Sequence, residues 1–223
     1  MNISMTRARC VGAALITAGL AVMGGRLAWI NTRTWVPVDM PVSLSVGQVR
    51  TQEFKTNLKA EYIIEIEVQK NISFDTLNCL LGINRSHPEQ CSDTPSVVNA
   101  SWALSTRNDT VARGSTATDS LGIWETDVVD RQSRQIGIGI WGNDVVGRQI
   151  GAFKTDAGRG YIFDVIFLAD GSALNMSKPR LRVEVHPSYY EGSAFADIPF
   201  FVVGTFLLAI GGIVLFVAVR SGR

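Results

Sequence analysis

The chain has 223 residues, 46% of them hydrophobic, with 21 Lys+Arg and 20 Asp+Glu, enough for one ordinary domain and too few for two large ones. Arg7, Arg9, Arg26, Arg220 and Arg223 lie outside the stretch 31–197 while every acidic residue lies inside it, so 16 cations meet 20 anions there, a balance of −4. Such a surface argues against nucleic acid as a partner, because its binders present positive charge to displace phosphate counterions, and it fits a membrane protein with its bulk on one side.

Residues 1–9 read as a short basic N-terminus held in the cytoplasm by Arg7 and Arg9. Cys10 to Gly25 follows as 16 apolar or small residues, a length shared by signal-peptide cores and short anchors. Two readings stay open. Small residues around Val22-Met23-Gly24 offer a cleavage site; alternatively residues 10–30 form an anchor that runs on through Leu27, Ala28, Trp29 and Ile30, with Arg26 snorkelling and Trp29 at the interface. Either way, residues 31–197 are expected to be exported.

Cysteine usage agrees with export. Cys79 and Cys91 fall in the exported stretch and are expected to form a disulfide, whose loop closure is worth on the order of 3 kcal/mol in an oxidising compartment. A zinc site is disfavoured, because only His87 and His186 could add imidazole and neither stands at finger-like spacing. Asn71, Asn84, Asn99, Asn108 and Asn175 each open an Asn-x-Ser/Thr sequon. The tiny tail and minimal loops favour a bacterial inner membrane, with the main domain in the periplasm and the asparagines serving as turn residues. A eukaryotic secretory or cell-surface location is the alternative.

From Thr34 to His186 short alternating runs are separated by turn signals, which predicts an all-β antiparallel sandwich of about nine strands. Tyr62, Ile64, Ile66 and Val68 alternate with Ile63, Glu65 and Glu67; Val98, Ala100, Trp102 and Leu104 form a second run, and Leu181, Val183 and Val185 alternate with Arg182 and Glu184. Each run is expected to set one face on a core and the other in water. Asn108-Asp109, Asp156-Ala157-Gly158 and Asp170-Gly171 supply turn residues between strands.

Two internal repeats refine this expectation. Phe54-Lys55-Thr56, five residues and Tyr62-Ile63 recurs as Phe153-Lys154-Thr155, five residues and Tyr161-Ile162, which predicts two similar hairpins. The second repeat, Gly122 to Gln132 and again Gly139 to Gln149, matches at eight of eleven positions, so each copy is expected to fold alike, as strand, acidic turn and strand. Two copies are too few for a solenoid and suit adjacent hairpins.

No phosphate loop, nucleophile elbow or zinc-protease helix occurs in the chain, so no catalytic residue and no cofactor are expected. The duplicated segment supplies the candidate binding surface: Trp124, Glu125, Asp127, Arg131, Trp141, Asn143, Asp144 and Arg148. Its acidic turns could gather oxygen ligands for calcium, but Asp and Asn more often bond their own turn backbone. Its tryptophans suit core packing, a sugar platform or a protein contact.

The chain closes with Ile198 to Val219, 22 residues without a charge, which at about 1.5 Å per residue cross a hydrocarbon core of roughly 30 Å. Pro199 is expected in its first turn, and Arg220 and Arg223 mark residues 220–223 as a cytoplasmic tail. Gly204, Gly211 and Gly212 offer small positions where another helix, in an oligomer, could approach. The functional expectation is a membrane-anchored extracytoplasmic binding module that contacts another protein, either a subunit of an envelope complex or a toxin that it neutralises. A polysaccharide-binding module using Trp124 and Trp141 is the alternative.

Overall fold

The computed structural model describes residues 3–82, 91–107, 109–116 and 145–221. It divides into two compact units, one of Thr34–Tyr190 and one that joins Met1–Arg33 to Glu191–Arg223.

The first unit is the sandwich, with nine antiparallel strands among the described residues. They are β1 (Val38–Pro41), β2 (Gly47–Arg50), β3 (Phe54–Lys55), β4 (Glu61–Gln69), β5 (Ala100–Ser105), β6 (Thr110–Ser115), β7 (Val145–Lys154), β8 (Gly160–Phe167) and β9 (Arg180–Val185). One sheet runs β1-β9-β4-β7; the other runs β2-β8-β5-β6, with β3 also paired to β8. Tyr62, Ile64, Ile66, Val183 and Ile150 from the first sheet and Ala100, Leu104, Phe163 and Val165 from the second are buried. Phe153 and Phe163 stack across the gap with centroids 6.5 Å apart.

The Phe-Lys-Thr repeat does not make two hairpins. β3 and β4 never pair with each other, nor do β7 and β8; each copy instead crosses from one sheet to the other. The copies pair with one another: Phe54 stands opposite Tyr161 and Tyr62 opposite Phe153, with ring centroids 6.0 and 6.1 Å apart. The threonines close the two crossings. Thr155 Oγ1 donates to the carbonyls of Leu58 (3.0 Å) and Ala60 (3.2 Å), and Thr56 Oγ1 donates to that of Asp156 (3.3 Å). Gly158, at φ 82°, supplies the left-handed residue of the second crossing.

A bulge in β7 shapes the core. Ile64 faces Gly151 and Glu65 faces Gln149, which leaves Ile150 as the extra residue. Its carbonyl accepts the Trp102 indole N–H at 3.0 Å. Gly151 lies directly under that indole, where a Cβ would collide with the ring. Two short helices complete the unit. α2 (Phe74–Leu81) begins at Ser73, whose hydroxyl accepts from Thr76 N, and ends at Gly82 with φ 74°. A 3₁₀ turn spans Ser172–Ser177. Asp170-Gly171 leads into that turn instead of reversing a hairpin.

The second unit holds α1 (Ile3–Asn31) and all but the first turn of α3 (Pro187–Arg220), each helix long and apolar enough to cross a membrane by length and composition. α3 starts well before Ile198, with Pro187 in its first turn, so Pro199 lies inside the helix and not at its start.

Candidate functional site

Of the eight residues expected to form a binding surface, Trp124, Glu125, Asp127, Arg131, Trp141, Asn143 and Asp144 lie outside the described residues, as does His87. Arg148 is placed, and it belongs to no surface. β7 points it to the inner side of the sheet, where Nη1 donates to the carbonyls of Leu81 (2.6 Å) and Val98 (3.0 Å) and to Ser96 Oγ (3.2 Å). The Leu81 carbonyl ends α2, so the guanidinium caps a helix C-terminus, where a cation is favoured. The Cys79–Cys91 disulfide ties the same helix to the segment that follows.

The opposite face of this sheet corrects a second expectation. Glu65, Glu67, Arg182 and Glu184 stand on the alternate positions expected in water, yet all four are buried, Arg182 and Glu184 to 1% exposure. Arg182 Nε donates to Glu184 Oε2 at 2.7 Å, and Nη1 lies 3.7 Å from Asp39 Oδ2 and 3.8 Å from Glu67 Oε2. Burial opposes its charge, but Glu184, Glu67 and Asp39 outweigh that penalty and raise its pKa. Arg180 Nε donates to Asp39 Oδ1 at 2.6 Å, extending the ion network toward the sheet edge. Among the described residues no three His, Cys, Asp or Glu side chains are grouped to hold a metal ion. His186 pairs locally, its Nδ1 lying 2.8 Å from Ser188 Oγ.

The surface with the composition of a contact site lies elsewhere, at the end of the sandwich where β1, β4 and β8 stop. Three loops meet there, 42–46, 70–73 and 168–179. Leu44 N donates to Asn175 Oδ1 at 3.0 Å, Gly171 N to the Leu44 carbonyl at 2.8 Å, and Asn71 Nδ2 to the Met176 carbonyl at 2.7 Å. Asn71 and Asn175 therefore act as fasteners between loops. Leu44 and Leu174 sink into the core beneath, while Met176 is 81%, Val46 66% and Leu168 54% exposed. Ile72 and Phe74 are exposed beside Asn71, and Lys70 Nζ lies 4.9 Å above the Phe74 ring. Val46 and Leu168 lie one residue beyond the pair Gly47–Phe167 that ends the β2–β8 ladder.

Sequence reasoning missed this tip because Val46, Ile72, Phe74 and Met176 stand singly among Ser, Asn, Asp and Gly, and Leu168 ends a run that reads as strand. Such a residue reads equally as a loop plug or a contact. The chain enters this unit from α1 and leaves it to α3 at the other end of the strands, where β1 begins and β9 ends.

No family model and no curated protein matches this chain. A crystal structure of a protein from Sulfurospirillum deleyianum is similar to it at 13% identity, with a TM-score of 0.44, over 67% of this chain and 97% of that one.

Proposed function

We propose that the chain is a membrane-anchored, extracytoplasmic binding module that contacts another protein through the apolar tip of its sandwich. The observation that carries this reading is the exposure of Met176, Val46, Leu168 and Ile72 on loops held by buried leucines and hydrogen bonds, with Phe74 exposed at the start of α2. Exposed methionine and aromatic side chains on a preformed surface suit protein contact, since little ordering remains to be done on binding. The apolar helices at both ends support attachment to a bilayer, and the disulfide supports an oxidising compartment such as the periplasm. The partner is a subunit of an envelope complex or a protein that the module neutralises at the inner membrane.

Native co-purification from mild detergent, with the tag on the C-terminal tail, tests the reading. A stoichiometric protein is expected with the unaltered chain. It is expected to be lost from the variant Val46→Asp/Leu168→Asp/Met176→Asp, whose melting temperature should change little because all three side chains are exposed. Retention of the partner by that variant would move the contact away from the tip, and recovery of the unaltered chain alone would remove the stable-complex version.

A further inference from the structure

The two apolar helices meet along one seam with a single repeat. A Cβ on Gly12 would lie 3.0 Å from the Gly211 carbonyl oxygen, and one on Gly19 2.8 Å from that of Gly204. The reverse holds as well: Cβ atoms on Gly211 and Gly204 would come within 2.8 and 3.3 Å of the carbonyls of Gly12 and Gly19. Seven residues beyond Gly19 on α1 stands Arg26, and seven before Gly204 on α3 stands Asp197. These two form an ion pair, Arg26 also donating to Ser193 Oγ at 3.1 Å and lying 4.0 Å above the Trp29 ring.

Seven residues are two helical turns at the supercoil period, so glycine, glycine and arginine on α1 oppose glycine, glycine and aspartate on α3 in antiparallel register. Glycine abundance in apolar helices does not explain this match. Gly24, Gly25 and Gly212 belong to the same helices and have nothing within 4 Å of where a Cβ would stand. Close approach is confined to the four seam glycines, where the backbones can meet without a hydrophobic driving force. The ion pair adds a polar register mark, because each charge is costly near lipid without the other.

From this seam we infer that α1 is retained after export as the permanent membrane partner of α3. A leader cut near Val22-Met23-Gly24 would carry Gly12 and Gly19 away and leave Gly204 and Gly211 facing lipid. This inference rests on the membrane reading of the two helices. It also makes the seam an intrachain contact, leaving the outer faces of the hairpin for any further subunit.

The test uses the full chain in membranes, in a Cys10→Ser background. The paired variant Gly12→Cys/Leu215→Cys places two Cβ atoms about 3.2 Å apart, a separation that a give of a few tenths of an ångström between the helices brings into disulfide range. Oxidation is expected to give an intrachain bond in most molecules. The control Val11→Cys/Ile213→Cys uses exposed positions and should give none. Arg26→Asp or Asp197→Arg alone should lower the cross-linked fraction, and the two together should restore it. The intact mass of the unaltered membrane protein is expected to include residues 10–30. A mature mass lacking them, or a bond that joins two chains, would overturn the inference while leaving the membrane reading in place. Recovery of the unaltered chain free of membranes would overturn that reading and the inference with it.

Discussion

The two faces of the β1-β9-β4-β7 sheet each bury an arginine, and they satisfy it in opposite ways. On the inner face, among the described residues, Arg148 donates to neutral carbonyls at the end of α2 and at Val98, together with the Ser96 hydroxyl. On the outer face Arg182 sits among Asp39, Glu67 and Glu184. A carbonyl gains from a cation but survives its loss as a desolvated dipole, whereas a buried carboxylate that loses its counter-charge faces the cost of an ion in a poor solvent. The same residue type therefore serves as a hydrogen-bonding strut on one side and as a charge keystone on the other.

The largest expected effect follows from breaking the charge keystone. Arg182→Met should lower stability by about 3 to 5 kcal/mol, since it leaves buried carboxylates without their shared cation. For a domain of this size that is a fall in melting temperature of roughly 10 °C or more. Adding Glu184→Gln should recover part of the loss. A fall under 1 kcal/mol in denaturant melts, with no recovery in the pair, would show that Arg182 is not holding the carboxylates.

Arg148→Met should cost less, about 1 to 3 kcal/mol for carbonyls left without a donor. The loss should be concentrated in α2, where hydrogen exchange of the Leu77–Gly82 amides is expected to speed more than exchange in β4. Uniform acceleration across both sheets would mean that the strut supports the whole core and not the helix.

A smaller effect concerns Tyr62, which is fully buried on the core side of β4 and donates to the Thr34 carbonyl at 2.7 Å. Burial, with lesser contributions from Tyr189 and Tyr161, pushes its pKa well above the usual 10. The folded state therefore favours the neutral phenol. Its contribution is complete below pH 10 and is lost as pH rises from there toward the folded value, because the unfolded chain ionises first. Tyr62→Phe should cost about 1 kcal/mol at neutral pH for the lost hydrogen bond and should flatten the decline of stability above pH 10. An unchanged alkaline decline would assign that slope to other groups.

Much of this architecture is legible in the residues. Alternation of Tyr62, Ile64, Ile66 and Val68, and of Leu181, Val183 and Val185, marks strands because side-chain direction has period two in any extended chain, and the cysteine spacing marks the disulfide. The helix α2 falls where only strands were expected: Ser73 and Gly82 cap it, but its eight residues are too few to show an apolar period. The exposed apolar tip was not legible, because exposure of Met176 or Leu168 depends on which loops come together.

Local periodicity, run length and thiol chemistry were enough to mark three of the strands, the two segments apolar enough for a bilayer, and the covalent link. What each face meets emerged only from the assembled sheets. Assembly turned an alternation of Glu and Arg expected in water into a buried ion network, and a repeated Phe-Lys-Thr motif into two crossings paired with each other. It also set Gly12, Gly19 and Arg26 opposite Gly211, Gly204 and Asp197. Period two tells a side chain which way to point, but burial and charge pairing are properties of the neighbour that arrives from elsewhere in the chain.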